Sequence, residues 1–343
     1  MAPDAKNREP SLGLSSQNSR LGVQPASAVP QPVLPRPAYL RWAPLPKLWD
    51  LLSVEARLAA DGVVEQPDPS LQKTFAKPPP LRAEVLRKLA LPGRIEGLLK
   101  RKVNVVWSQA AALNGDLDQN YSCGGRSIMS FNSSREIVNA DLQLASMLPK
   151  EDKVKAVALR SCAVVGNSGS LLGAAHGPAI DSHDTVIRFN AAPTTGYEAD
   201  VGHTTAFRLQ NCDHIGFHEP QDEILIASVR NAPDLRRFAQ QMWKPGAEWQ
   251  FMFHPEFWCH VWDWVAHRKL KPTSGLAGVV LALHLCTPPV DLYGFQHDAA
   301  EFHYWNKLPD KVTKQDVYEY HPLQEEAYLY QELQNLTLVR LWP

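Results

Sequence analysis

The sequence predicts an α/β domain, a mostly parallel central sheet flanked by helices. Two observations carry this. Short apolar, β-branched runs alternate with longer helix-period segments between residues 83 and 333, as in strands joined by covering helices. Two of those runs, 163–165 and 185–189, each deliver an asparagine to a loop, Gly166-Asn-Ser-Gly169 and Asn190-Ala-Ala-Pro-Thr194. Ligand-binding loops of open α/β sheets leave the strands' carboxyl ends in this way.

In chain order, residues 1–80 are rich in Pro, Ser and Ala, with one short helix allowed at 45–60. Proline at this density removes N–H donors and disfavours helix interiors and central strands, so a tail or linker is predicted. Residues 81–343 form the predicted folded domain, opening with a helix at 83–91, a strand at 103–107 and a helix at 134–147. After strand 163–165, residues 170–175 read as the first turns of a helix whose positive end, with Asn167 and Ser168, would meet an anion. Strands follow at 185–189, 204–209, 223–228, 250–254 and 290–294, with helices at 234–242, 256–268, 276–285 and 322–333. Thr273-Ser-Gly275 precedes the 276–285 helix as a cap, a position that also suits an anion.

Composition narrows the function. A formal charge of −1 argues against a nucleic-acid binder, which needs many phosphate-neutralising Lys and Arg side chains. No span approaches the roughly 20 apolar residues that cross a bilayer, and the N-terminus lacks a cleavable signal pattern. The cysteines, Cys123, Cys162, Cys212, Cys259 and Cys286, form no CxxC pair and lie at no zinc-ligand spacing with histidines, so no metal site is expected. Asn120, Asn132 and Asn335 each begin an Asn-x-Ser/Thr acceptor tripeptide, compatible with secretory passage.

The stretch Cys162-Ala-Val-Val-Gly-Asn-Ser-Gly169, Ile180-Asp-Ser-His-Asp184, Arg188-Phe-Asn-Ala-Ala-Pro-Thr194 and Asp200-Val-Gly202 resembles the large sialylmotif of eukaryotic sialyltransferases. Pro272-Thr-Ser-Gly275 with residues 276–286 and Val290-Asp-Leu-Tyr-Gly-Phe295 looks like the small motif, His303-Tyr-Trp305 like the third, and His321 with Glu326 like the very small one. The likeness covers 158–330 in the family's order. It fits both the β-galactoside-type members and plant or algal sialyltransferase-like proteins.

The resemblance implies a Rossmann-like single-domain glycosyltransferase fold (a GT-A variant) in the Golgi lumen. It implies transfer of sialic acid from CMP-sialic acid to a sugar hydroxyl of a glycan, galactose above all, with inversion and without metal. Asn167, Ser168, Asn190, Thr273, Ser274, Gly275 and His303 would hold the donor, His303 donating to the phosphate. His321 would be the general base, with Glu326 and Tyr304 supporting the site and Cys162 bonded to Cys286. Taken alone, His321 before Pro322 reads equally as a residue preceding a helix.

Two positions depart from the family, Lys271 where tyrosine is frequent and Asn306 where an acidic residue is frequent. Three alternatives stay open: another CMP-activated 2-keto sugar acid as donor, a non-catalytic nucleotide-sugar-binding homologue, and a metal-dependent transferase using Asp116-Leu-Asp118. Linkage, α2,3 or α2,6, is also open, and the acceptor is expected to meet loops 209–218, 296–301 and 307–318.

Overall fold

A computed structural model describes residues 92–113, 120–123, 126–130, 148–219, 223–242, 250–265, 270–295, 302–306, 317 and 320–343. All belong to one compact unit, Arg36–Pro343. The predicted helices at 45–60, 83–91 and 134–147 lie outside the described residues, as do Asp116 and Asp118.

Seven strands form one parallel sheet: β3 (Cys162–Val165), β4 (Thr185–Phe189), β5 (Phe207–Gln210), β6 (Ile224–Ala227), β7 (Gln250–Met252), β8 (Val290–Tyr293) and β9 (Val339–Trp342), in the order β7-β6-β5-β4-β3-β8-β9. Every residue of β3, β4, β5, β6 and β8 is buried, which is why these strands read as near-continuous apolar runs rather than alternating ones. A separate antiparallel hairpin joins β1 (Asn120–Cys123) to β2 (Arg126–Ser130).

The helices are α1 (Pro92–Leu99), α2 (Gln109–Leu113), α3 (Gly177–Asp181), α4 (Glu198–Val201), α5 (Ala232–Met242), α6 (Pro255–Asp263), α7 (Ser274–Leu285) and α8 (Leu323–Asn335). Helix α7 packs on β3, β4, β5 and β8 and is apolar around most of its circumference, as a helix buried on several sides must be. Residues 276–283 are all buried.

Two expectations are overturned. Residues 103–107 form no strand: Val106 makes only an isolated antiparallel bridge to Phe253, because the Asp152 carboxylate accepts the N–H groups of Val105 and Val106 that strand pairing would use. Residues 170–175 form no α-helix. A single 3₁₀ turn at Gly169–Leu171 follows β3, and α3 begins only at Gly177. Gly173 (φ 73°) and Ala175 (φ 54°) sit in the left-handed region, which breaks a right-handed helix there.

Strand order reverses beside β3, since β4 through β7 extend to one side and β8 and β9 lie on the other. Ligands of open α/β sheets bind outside the carboxyl ends of the strands at such a reversal. Gly166 follows β3 there and donates to the Tyr293 carbonyl at 2.7 Å. A Cβ on Gly166 would lie 2.4 Å from the Gly294 carbonyl oxygen, so only glycine lets the two strand ends approach this closely.

Candidate active site

Asn167 leaves β3 at the reversal. Its side-chain Oδ1 is buried without a hydrogen-bond partner, as is the nearby Ser170 Oγ. An unsatisfied buried acceptor costs about 1–3 kcal/mol, so a polar ligand reaching Asn167 would relieve a cost already present in the fold. Ser168 caps the 3₁₀ turn, its Oγ accepting from Ser170 N at 3.2 Å. The loop therefore keeps its polar lining but lacks the α-helix terminus expected behind it.

Asn190 leaves the neighbouring strand β4 in the left-handed conformation (φ 52°), which asparagine tolerates better than most residues. Its Oδ1 accepts from Asn211 N at 2.9 Å. The side-chain oxygen is thus committed to the scaffold, and its amide N–H groups are what remain for a ligand.

Thr273, Ser274, Gly275, His321 and Glu326 form one connected group. Thr273 is the N-cap of α7, its Oγ1 accepting from Leu276 N at 3.0 Å. Its own N–H and O–H donate to the two Glu326 carboxylate oxygens at 2.8 and 2.6 Å. Ser274 and Gly275 make the first turn, whose N–H groups have no carbonyl partner within the helix. Gly275 abuts the Phe295 ring just after β8, which places this turn at the same end of the sheet as Asn167. Glu326 is fully buried, and burial pushes its carboxyl up to about 7 against the opposing hydrogen bonds from Thr273 and Tyr330.

His321 is joined to the same loop through Lys271. Lys271 N donates to the Tyr320 carbonyl at 3.0 Å, and His321 Nδ1 lies 2.6 Å from the Lys271 carbonyl oxygen. A carbonyl only accepts, so Nδ1 carries the proton and Nε2 keeps its lone pair. Burial lowers the His321 pKa to about 4, and the Lys271 charge adds to that fall. The ring is neutral at physiological pH. The Lys271 ammonium itself rests over the Trp258 ring, 5.8 Å from its centroid.

The segment 302–306 lies across both asparagine loops. Tyr304 N donates to the Asn167 carbonyl at 3.1 Å and Tyr304 Oη to the Pro193 carbonyl at 2.6 Å. His303 stacks on Trp305, with centroids 4.5 Å apart and planes 8° from parallel, and its Nδ1 meets Asn306 Oδ1 at 2.6 Å. Burial holds the His303 pKa below its ordinary value, the Asn306 bond opposes this, and His214 lies close enough to lower it further. Asn306, noted in the sequence only as a departure, is thus the residue that orients His303.

Arg208 and Glu219, which no motif includes, grip the 190–195 loop from beneath. An arginine inside an apolar strand run was the available signal, since a buried guanidinium requires partners. Loops 296–301 and 307–316 lie outside the described residues. Among the described residues, no group of three metal-ligating side chains converges and no helix is long and apolar enough to cross a membrane. Two disulfides are present, Cys162–Cys286 and Cys123–Cys259, with Cys212 a buried free thiol.

Comparison with known proteins shows what the chain resembles in sequence and fold. The family described as glycosyltransferase family 29 (sialyltransferase) matches residues 101–230 and 219–337. The CMP-N-acetylneuraminate-beta-galactosamide-alpha-2,3-sialyltransferase 1 of Pan troglodytes is 33% identical over 174 residues, 45% of this chain and 50% of the relative. The beta-galactoside alpha-2,6-sialyltransferase 2 of Bos taurus is 31% identical over 221 residues, 55% of this chain and 43% of the relative. The chain therefore spans about half the length of the curated relatives it matches. A crystal structure of a mammalian sialyltransferase in complex with Gal-beta-1-3GalNAc-ortho-nitrophenol superposes with a TM-score of 0.51 at 24% identity, covering 73% of this chain and 93% of that one. At that identity the likeness speaks for the fold, a Rossmann-like single domain.

Proposed function

Because the chain belongs to glycosyltransferase family 29, the sialyltransferases, we propose that it transfers a sialyl group from CMP-sialic acid to a sugar hydroxyl. Galactose is the acceptor unit that the relatives' names point to. The observation that carries the reading is the His321 ring, neutral, with Nδ1–H tied to the Lys271 carbonyl and the Nε2 lone pair left over. That tautomer can take a proton from an acceptor hydroxyl as the oxygen attacks the anomeric carbon and CMP departs, one displacement with inversion. No covalent nucleophile is required.

Donor recognition falls to Asn167, Ser168, Asn190 and the Thr273-Ser-Gly275 turn. The first-turn N–H groups suit a phosphate or carboxylate, and the unpartnered Asn167 oxygen suits a sugar or base N–H or O–H. Glu326 fastens Thr273 to α8 and so holds the donor turn and the base in one frame. His303 meets charge building on the leaving phosphate, a task that a divalent metal performs in other transferases. The reading needs no metal, and the enzyme acts in the Golgi lumen, whose oxidising chemistry suits the two disulfides.

Three measurements test this. His321→Ala leaves CMP affinity nearly intact and lowers turnover by on the order of 10²–10⁴, while excess chelator leaves activity unchanged. In the unaltered enzyme the acidic limb of kcat/KM falls near pH 4, since the base is lost as pH drops through the lowered His321 pKa. Full transfer activity in a folded His321→Ala variant would place the base elsewhere, and a limb at 6.5 or above would remove the buried-histidine account.

A further inference from the structure

We infer that Glu219 and Arg208 are positioning residues for the donor, acting through the 190–195 loop. This rests on the reading that Asn190 contacts the donor.

Arg208 is wholly buried in β5 and spends all five of its N–H donors. Nε and Nη2 form a bidentate pair with Glu223 at 2.6 and 2.7 Å, and Nη2 also reaches Glu219 Oε2 at 3.1 Å. Nη1 donates to the carbonyls of Asn190 at 3.1 Å and Ala192 at 2.9 Å. Glu223 pairs with the guanidinium bidentately, and Glu219 is a second carboxylate whose charge also reaches the neighbouring buried Arg188.

Glu219 turns toward the same loop. Its carboxylate accepts from Thr194 N at 2.9 Å and from Thr195 N at 3.2 Å. The loop is therefore held by carbonyls on one side and by amides on the other, and both grips meet at the Arg208–Glu219 contact. Tyr304 adds a third grip at the Pro193 carbonyl. Nearly the whole loop is fixed by side chains from outside it, as a site requires when a reactive geometry must be kept. Glu219 also belongs to the connection that leaves β5, which starts at Asn211, the residue whose N–H holds the Asn190 side chain at 2.9 Å. One assembly thus sets both the backbone and the side chain of Asn190.

A merely structural role and a positioning role separate in a double-mutant cycle read by CMP titration of the full chain. Glu219→Ala weakens CMP binding about tenfold, the loss of one to two net hydrogen bonds' worth of order at the loop. In an Asn190→Ala background the same change costs less than about twofold, because the contact that Glu219 positions is already gone. Equal losses in both backgrounds, or no loss in Glu219→Ala alone, overturn the inference. If Asn190→Ala itself leaves CMP affinity unchanged, the donor reading fails and the inference with it. Should Glu219→Ala fail to fold, Glu219→Gln, which keeps the side chain's size but replaces one acceptor oxygen with an N–H donor facing the Thr194 and Thr195 amides, carries the same cycle, with the same non-additivity expected and additivity overturning it.

Discussion

His321 and His303 share one device with opposite consequences. In each ring Nδ1 is engaged at 2.6 Å, by the Lys271 carbonyl in one case and by Asn306 Oδ1 in the other. Both rings then present Nε2 with a lone pair, which suits a base and does not suit a donor to phosphate. For His303 to serve the leaving group, it must gain a proton when the donor binds, and its lowered pKa keeps that proton off in the free protein. CMP binding is therefore predicted to take up a proton. Affinity should rise as pH falls from 8 toward 6, because the protonated ring is the form that the phosphate selects. Titration calorimetry in buffers of differing ionisation enthalpy reads this directly, and pH-independent affinity with no proton uptake removes the role. Asn306→Asp places a carboxylate against Nδ1, holds the imidazolium in the free protein and flattens the dependence. A flattened dependence in that variant would make the Asn306 contact the feature that tunes the His303 proton.

Among the elements, those buried on both faces were legible, and those whose backbone partners come from side chains were not. Strands 185–189 and 290–294 fell within a residue of β4 and β8, since their apolar runs record burial directly. The end strand β9 escaped notice because its sequence, Val-Arg-Leu-Trp, is only partly buried. Residues 103–107 have a strand's composition, yet Asp152, some 46 residues away, supplies the acceptor for Val105 and Val106. Nothing local signals such a distant carboxylate. For the candidate site, the four motifs named residues but not the linkages: Glu326 to Thr273 and Tyr304 to Pro193 cross from one motif to another, and Arg208, outside the motifs, reaches Asn190 within one. The α7–β4 packing offers a test at this scale. A Cβ on Gly278 would lie 2.3 Å from the Phe189 ring, which must then shift within a full core. Gly278→Ala is expected to cost about 1–3 kcal/mol of stability, and, because Phe189 precedes Asn190, to weaken CMP binding as well. A melting temperature and affinity both unchanged would show that α7 does not set the β4 end.

Over the whole molecule, the Cys162–Cys286 bridge and the proposed donor site lie at opposite ends of the sheet. Cys162 opens β3 and Cys286 caps the far end of α7, while the site collects where β3 ends and α7 begins. The two cysteines are 124 residues apart in sequence, so in the chain-entropy account the crosslink removes freedom mainly from the unfolded chain, by up to about 4–5 kcal/mol. Cys212, the free thiol, is pushed up to about 11 by burial. It stays protonated near neutral pH and makes a poor competitor in disulfide exchange. Replacing Cys162 and Cys286 together by alanine should therefore lower the unfolding free energy by about 2–5 kcal/mol. Molecules that remain folded at low temperature should still bind CMP within about twofold of the unaltered protein, since no donor contact changes. Denaturant titration and CMP titration of the same preparation decide it. If affinity collapses in step with stability, the bridge reaches the site through α7 and the sheet does not insulate its two ends. If stability is unchanged, the bond does not constrain the unfolded chain, and the buried core alone holds β3 against α7.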